Sequence, residues 1–104
     1  MAGPMRIRAG HTDGVTEVRV LMSHPMETGL RKDGDGNVIP AHYITELVAK
    51  HNDKVVLNVE MGPSVSTNPY LSFKFKAGAP GDIIEVSWKD NEGESRTDQV
   101  EIRG

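Results

Sequence analysis

The side chains best suited to hold a soft metal ion are Met22, His24 and Met26, spaced two apart around Pro25. Thioether and imidazole are donors that copper accepts readily. No second His or carboxylate follows at the spacing of a known metal motif, however. The expected roles are therefore structural: Met22 filling the core and His24 capping a strand end at the surface. His11 lies beside a turn and His51 within one, so both are expected to be solvated. The sequence contains no cysteine, which excludes disulfides, thiolate metal sites and a thiolate nucleophile.

Hydrolytic chemistry fares no better. Serines stand at 64, 66, 72, 87 and 95, but none sits in a Gly-x-Ser-x-Gly turn. The run Asp33-Gly34-Asp35-Gly36-Asn37 looks like the start of a calcium loop, yet it has the wrong spacing and no Glu at the twelfth position. A solvated turn is expected there. No catalytic residue, cofactor or metal site is assigned.

The net charge is −3, with 12 basic residues scattered among 15 acidic ones. The longest basic tract is Arg31-Lys32, too little to displace phosphate counterions, so nucleic acid is not an expected partner. No apolar stretch approaches the roughly 20 residues that cross a bilayer, and no membrane contact is expected. The 104 residues suit a single core. The expected organisation is an N-terminal tail over 1–5 and one domain over 6–104. The opening MAGPMRIR lacks the apolar core of a secretory signal, and Met5 is an alternative natural start.

Apolar alternation with period two dominates the elements that must position these residues. Arg6 to Ala9 reads as a short extended run ending at Thr12-Asp13-Gly14. Inward positions then recur at Val18, Val20 and Met22, at Val55, Leu57, Val59 and Met61, and at Leu71, Phe73 and Phe75. A further set is Ile84, Val86 and Trp88, followed by Val100 and Ile102 in a last strand from Glu94 to Arg103. Residues 41–51 are contested: Tyr43, Ile44, Leu47 and Val48 have helical spacing, but His51-Asn52-Asp53-Lys54 looks like a hairpin turn. A strand is favoured, because a helix would leave the sheets one strand short. Seven short strands with regular turns predict an all-β, immunoglobulin-like antiparallel sandwich, with Trp88 as its core aromatic. The non-haem iron site of superoxide reductases also sits on such a sandwich, and the missing cysteine excludes it here.

Two loops stand out as recognition surfaces, His24 to Arg31 and Gly62 to Tyr70. Each combines Pro and Gly with apolar anchors, and pre-shaped loops bind at lower entropic cost. The candidate partner-binding residues are Met26, Leu30, Arg31, Val65, Asn68 and Tyr70. The alternative, that these tips fold back onto the sandwich ends, stands beside that reading. Sheet edges offer a second route to a partner.

The blocks VRVLMSHPMETGLRKD, VIPAHYITELVAKHN, GPSVSTNPYLSFKFK and DIIEVSWKDNEGESRTD, in that order, resemble the SoxZ family, the Z subunit of the Sox sulfur-oxidation carrier complex. The resemblance covers the chain from Met5 onward. It implies a non-catalytic sandwich that forms a heterodimer with SoxY, whose flexible tail carries a cysteine to which intermediates of thiosulfate oxidation are attached. It further implies transient contacts with a Sox cytochrome, a sulfate-releasing hydrolase and a sulfur dehydrogenase. The implied location is the periplasm, reached by export with the partner. Other readings of the residues are a periplasmic copper carrier and a self-associating structural sandwich.

Overall fold

Where side chains alternate between core and solvent the chain extends, and the computed structural model, which describes residues 3–104, contains seven strands. They are β1 (Arg6–Thr12), β2 (Val15–Leu21), β3 (Ile44–His51), β4 (Lys54–Glu60), β5 (Tyr70–Phe75), β6 (Ile83–Asp90) and β7 (Ser95–Glu101). All pair antiparallel, in a three-stranded sheet of order β1-β2-β5 and a four-stranded sheet of order β4-β3-β6-β7. Residues 1 and 2 of the expected tail lie outside the described residues. Met5, at its end, is buried and donates its N–H to Asp98 Oδ2 at 3.0 Å.

Turn chemistry sets the hairpins. Asp13 and Gly14 have φ of 53° and 80°, and Asn52 and Asp53 have φ of 47° and 70°. Two consecutive left-handed residues match the right-handed twist of the flanking strands, which is why Asp, Asn and Gly stand there. Gly78 is obligatory for another reason. Its φ is 88°, and an added Cβ would lie 2.6 Å from Thr16 Oγ1. That buried hydroxyl donates to the Ala77 carbonyl at 2.7 Å and accepts from His11 Nδ1 at 3.0 Å.

The contested segment is a strand, and its helical spacing has a specific cause. β3 shifts register against β6 between Ile44 and Glu46. A bulge at Thr45 delays the inward phase by one residue, so Ile44, Leu47 and Ala49 all point into the core. A second shift affects β4, where Ala49 faces Leu57 but Lys50 faces Val55, leaving Val56 as the extra residue. Val55, expected inward, is consequently exposed.

The core includes Ala9, Val18 and Val20 from one sheet and Ile44, Leu47, Ala49, Ile84, Val86 and Trp88 from the other, with Met5, Met22, Met26 and Ile102 from outside the strands. One side of the sandwich is closed where the chain end crosses onto β1. Arg103 donates its N–H to the Ala9 carbonyl at 2.9 Å, and its own carbonyl accepts from His11 N–H at 2.8 Å. β4 and β5 are the edge strands on the opposite side. Trp88 is 2% exposed, and its indole Nε1 has no hydrogen-bond partner among the described residues. Trp88→Ala is expected to cost about 3–5 kcal/mol through the cavity it leaves. Urea unfolding should show a lower midpoint for Trp88→Ala, with a smaller drop for Trp88→Phe.

Candidate functional site

Immediately after β2 the chain carries His24 into the interior, where it meets two residues distant in sequence. His24 Nε2 lies 3.0 Å and His42 Nε2 2.7 Å from the same oxygen, Asp90 Oδ2. The other oxygen, Oδ1, accepts the backbone N–H groups of Glu92 at 3.0 Å and Glu94 at 2.9 Å. The two imidazoles meet edge to face at 4.5 Å, and Trp88 stands perpendicular to His24 at 5.1 Å. Burial of Asp90 is the largest single influence and favours the neutral acid. The bonds from His24, His42, Glu94 and Glu92 together outweigh it and hold the carboxyl below its ordinary range.

His24 was expected at the surface, but it is 3% exposed. The backbone of Met26, left-handed at φ 49°, aims its N–H at His24 Nδ1 over 3.1 Å. Nδ1 therefore accepts, and the proton sits on Nε2, pointing at Asp90. Met26 is also buried, and its sulfur accepts the Ile44 N–H at 3.3 Å. His11 and His51 are likewise half-buried, not solvated. His51 Nε2 lies 2.7 Å from Asp82 Oδ2.

His24, His42 and Asp90 bring three potential ligand atoms within 4.8 Å of one another. A metal on His24 Nε2 would force the proton onto Nδ1, where it would face the Met26 N–H, one donor against another. The cluster as arranged suits a hydrogen-bonded clamp. It does not suit a metal centre, and the copper set of Met22, His24 and Met26 is turned inward. Exposure to copper(I) is expected to leave no more bound copper, by metal analysis, on the wild type than on His24→Ala.

The two candidate recognition loops form one assembly. Asn68 donates its N–H to the His24 carbonyl at 2.9 Å, and its Oδ1 accepts the His24 N–H at 3.0 Å. Thr67 Oγ1 donates to the Pro25 carbonyl at 3.0 Å, and Met22 N–H to the Pro69 carbonyl at 2.9 Å. Beyond Met26 the chain runs out as a ribbon. Glu27 and His42 exchange backbone hydrogen bonds at 2.6 and 3.0 Å, and Ile39 N–H reaches the Arg31 carbonyl at 2.8 Å. Asp33 Oδ1 closes the far turn by accepting from Asp35 and Asn37. The molecule extends 54 × 20 × 20 Å. A strand of eight residues spans only about 27 Å, so segments beyond the strand ends supply the rest of that length.

Of the candidate partner-binding residues, Leu30 is 86% and Tyr70 61% exposed. Arg31 is exposed but holds Glu27 through Nη2–Oε1 at 2.6 Å and Nε–Oε2 at 3.2 Å. Val65 is half-buried against the core, Asn68 fastens the loops, and Met26 is interior. Val38, opposite Lys32 in the ribbon, and Leu21, opposite Tyr70 on β2, add exposed apolar surface that the sequence reading did not single out.

These features define a class, the antiparallel β-sandwich of three plus four strands. A solved structure of this fold, the superoxide reductase (neelaredoxin) from Ignicoccus hospitalis, aligns with 98% of this chain and 80% of its own at a TM-score of 0.66. At 18% identity that likeness speaks for the fold alone. A sequence search of proteins with curated function finds no match. The family model described as "Sulphur oxidation protein SoxZ" matches residues 5–101, and the chain belongs to the SoxZ family. That membership gives it a role in the sulfur oxidation system, in partnership with other Sox components.

Asp90→Asn is expected to cost about 1–3 kcal/mol, because buried donors lose a charged acceptor. The native carboxyl titrates below its unfolded value near 4. Its contribution is therefore complete above that pH and is lost as pH falls through the lower native value. Urea unfolding across acid pH should show wild type and Asp90→Asn converging as pH drops.

Proposed function

We propose that this chain is the non-catalytic binding subunit of the Sox carrier complex, the companion of a SoxY-type subunit whose cysteine carries sulfur intermediates covalently. The observation that carries this reading is the pre-formed loop end. Leu30 and Val38 on the ribbon, and Tyr70 beside Leu21, are exposed apolar groups on segments tied to the Asp90 cluster through the Glu27–His42 and Asn68–His24 bonds. Such groups lose little conformational freedom on binding. Absence of cysteine fits the same role, since a bystander thiolate would exchange with a persulfide on the partner.

The heterodimer would bury about 800 Å² or more on each side. The cytochrome, hydrolase and dehydrogenase of the pathway meet it transiently at the partner's tail. Its place of action is the periplasm, which it reaches bound to its partner.

Co-expression should recover a one-to-one complex with a small cysteine-bearing protein. After thiosulfate turnover, mass spectrometry should find the sulfur adduct on the partner only. Leu30→Asp and Tyr70→Asp should each weaken the complex by about 2 kcal/mol, roughly thirtyfold, if they are central contacts, with unchanged melting temperature. Met26→Asp, by contrast, should lower stability, because it buries a carboxylate. A sulfur adduct on this chain, or a stable homo-oligomer indifferent to any such partner, would sink the proposal.

A further inference from the structure

Positive charge is not spread evenly over this acidic chain. The solvent face of the three-stranded sheet carries Arg6, Arg8, Arg19 and Lys74 against a single carboxylate, Glu17. Arg8 stands directly opposite Arg19 across the β1–β2 pair. Like charges in that position destabilise a sheet, and neither is needed for packing, since both side chains are exposed. Arg19 Nη2 reaches Glu17 Oε1 at 3.2 Å. Arg8 has no ion-pair partner among the described residues, and neither does Arg103.

The third arginine is delivered by the crossing that closes the sandwich. The parallel bridge between Gly10 and Arg103, with the two backbone bonds to Ala9 and His11, anchors the end of the chain beside β1. Arg8, Arg19 and Arg103 thus line one open cleft of about 640 Å³, where they outnumber by one the two carboxylates, Glu17 and Glu101, that also line it. Gly10 leaves space above β1, for an added Cβ there would meet nothing within 4 Å. A glycine inside a strand often marks such close approach by another group.

We infer that this cleft binds a tetrahedral sulfur oxyanion, a sulfonate or thiosulfate group. Planar guanidinium forks pair two N–H groups with two oxygens of such an anion, as they do with phosphate. A dianion between Arg8 and Arg19 turns their mutual repulsion into attraction for a shared ligand. Membership of the sulfur-oxidation family makes sulfur oxyanions the relevant species. The cleft exceeds the size of a free anion and leaves room for a peptide segment bearing one. That second source, a sulfonated cysteine on the partner's tail, rests on the carrier reading above. The row Arg6–Leu21–Tyr70 lies one same-face step, about 7 Å, along the strands from the row Arg8–Arg19–Ser72.

The test is NMR titration of the full chain with sodium thiosulfate, with sodium chloride at equal ionic strength, and with a short peptide containing S-sulfocysteine. Saturable shifts are expected at the Arg8, Arg19 and Arg103 Nε–H groups and the Gly10 amide. Arg8→Gln and Arg19→Gln should each weaken binding about tenfold, with melting temperatures not lowered, because each relieves the repulsion across the strand pair. Tighter binding of the peptide than of thiosulfate identifies the tail as the source, and equal or weaker binding identifies the free anion. The inference is overturned if chloride reproduces the shifts, if neither ligand saturates, or if the Gln variants bind like the wild type. Partner capture by the same variants separates the two proposals. Thiosulfate binding by a chain that captures no partner would keep the cleft and discard the carrier reading.

Discussion

The carboxylate of Asp90 is the constraint around which the loop end of the sandwich is organised. A buried charge left unpaired costs several kcal/mol, and this one is fully enclosed, with 0% of its side chain exposed. It is satisfied by donors from three segments: His24 after β2, His42 before β3, and the backbone of the β6–β7 turn. None of the three can move away without taking a donor from the buried carboxylate. The loop holding Met26 therefore accepts a left-handed backbone, a cost of about 1–3 kcal/mol, and the Asn68 loop is drawn in behind it. Stiffness at the loop end follows from a charge in the interior.

Much of the fold was legible because alternation is local. Strands such as Leu71-Phe73-Phe75 and Ile84-Val86-Trp88 announce their inner face within six residues. Their packing against one another adds no surprise. Legibility failed where one residue was inserted in a ladder. At Thr45 the bulge imitates a helical spacing, and at Val56 it turns Val55 to solvent. Both bulges depend on the partner strand's register, which no window of the single strand contains.

The candidate site was legible only in part, and for a different reason. Leu30 and Tyr70 could be read as exposed because Pro, Gly and polar neighbours frame them. His24 and Asp90 are 66 residues apart, and His42 and Asp90 are 48 apart, so nothing in sequence spacing joins them. The available hint was an acid at a strand end, opening the turn Asp90-Asn91-Glu92-Gly93, together with histidines flanked by prolines. Met26 was misjudged as a tip because a positive φ at a methionine is rare. The bond from its N–H to His24, and the one its sulfur accepts from Ile44, hold the side chain inward.

Charge placement then separates gripping from reading. The loop end is held by interior hydrogen bonds and presents apolar groups, so its contact should depend weakly on salt. The arginines on the β1–β2 face lie in solvent, where attraction for an anion is screened over roughly 10 Å at moderate ionic strength. A partner seated against Leu21 and Tyr70 would hold any tethered anion within that range of Arg8 and Arg19, raising its effective concentration without further contact area. On the proposed reading, a weak exposed site would fill appreciably only while the companion is bound. That division would let a tethered anion be retained and released in turn, since the apolar grip persists while the ionic one exchanges.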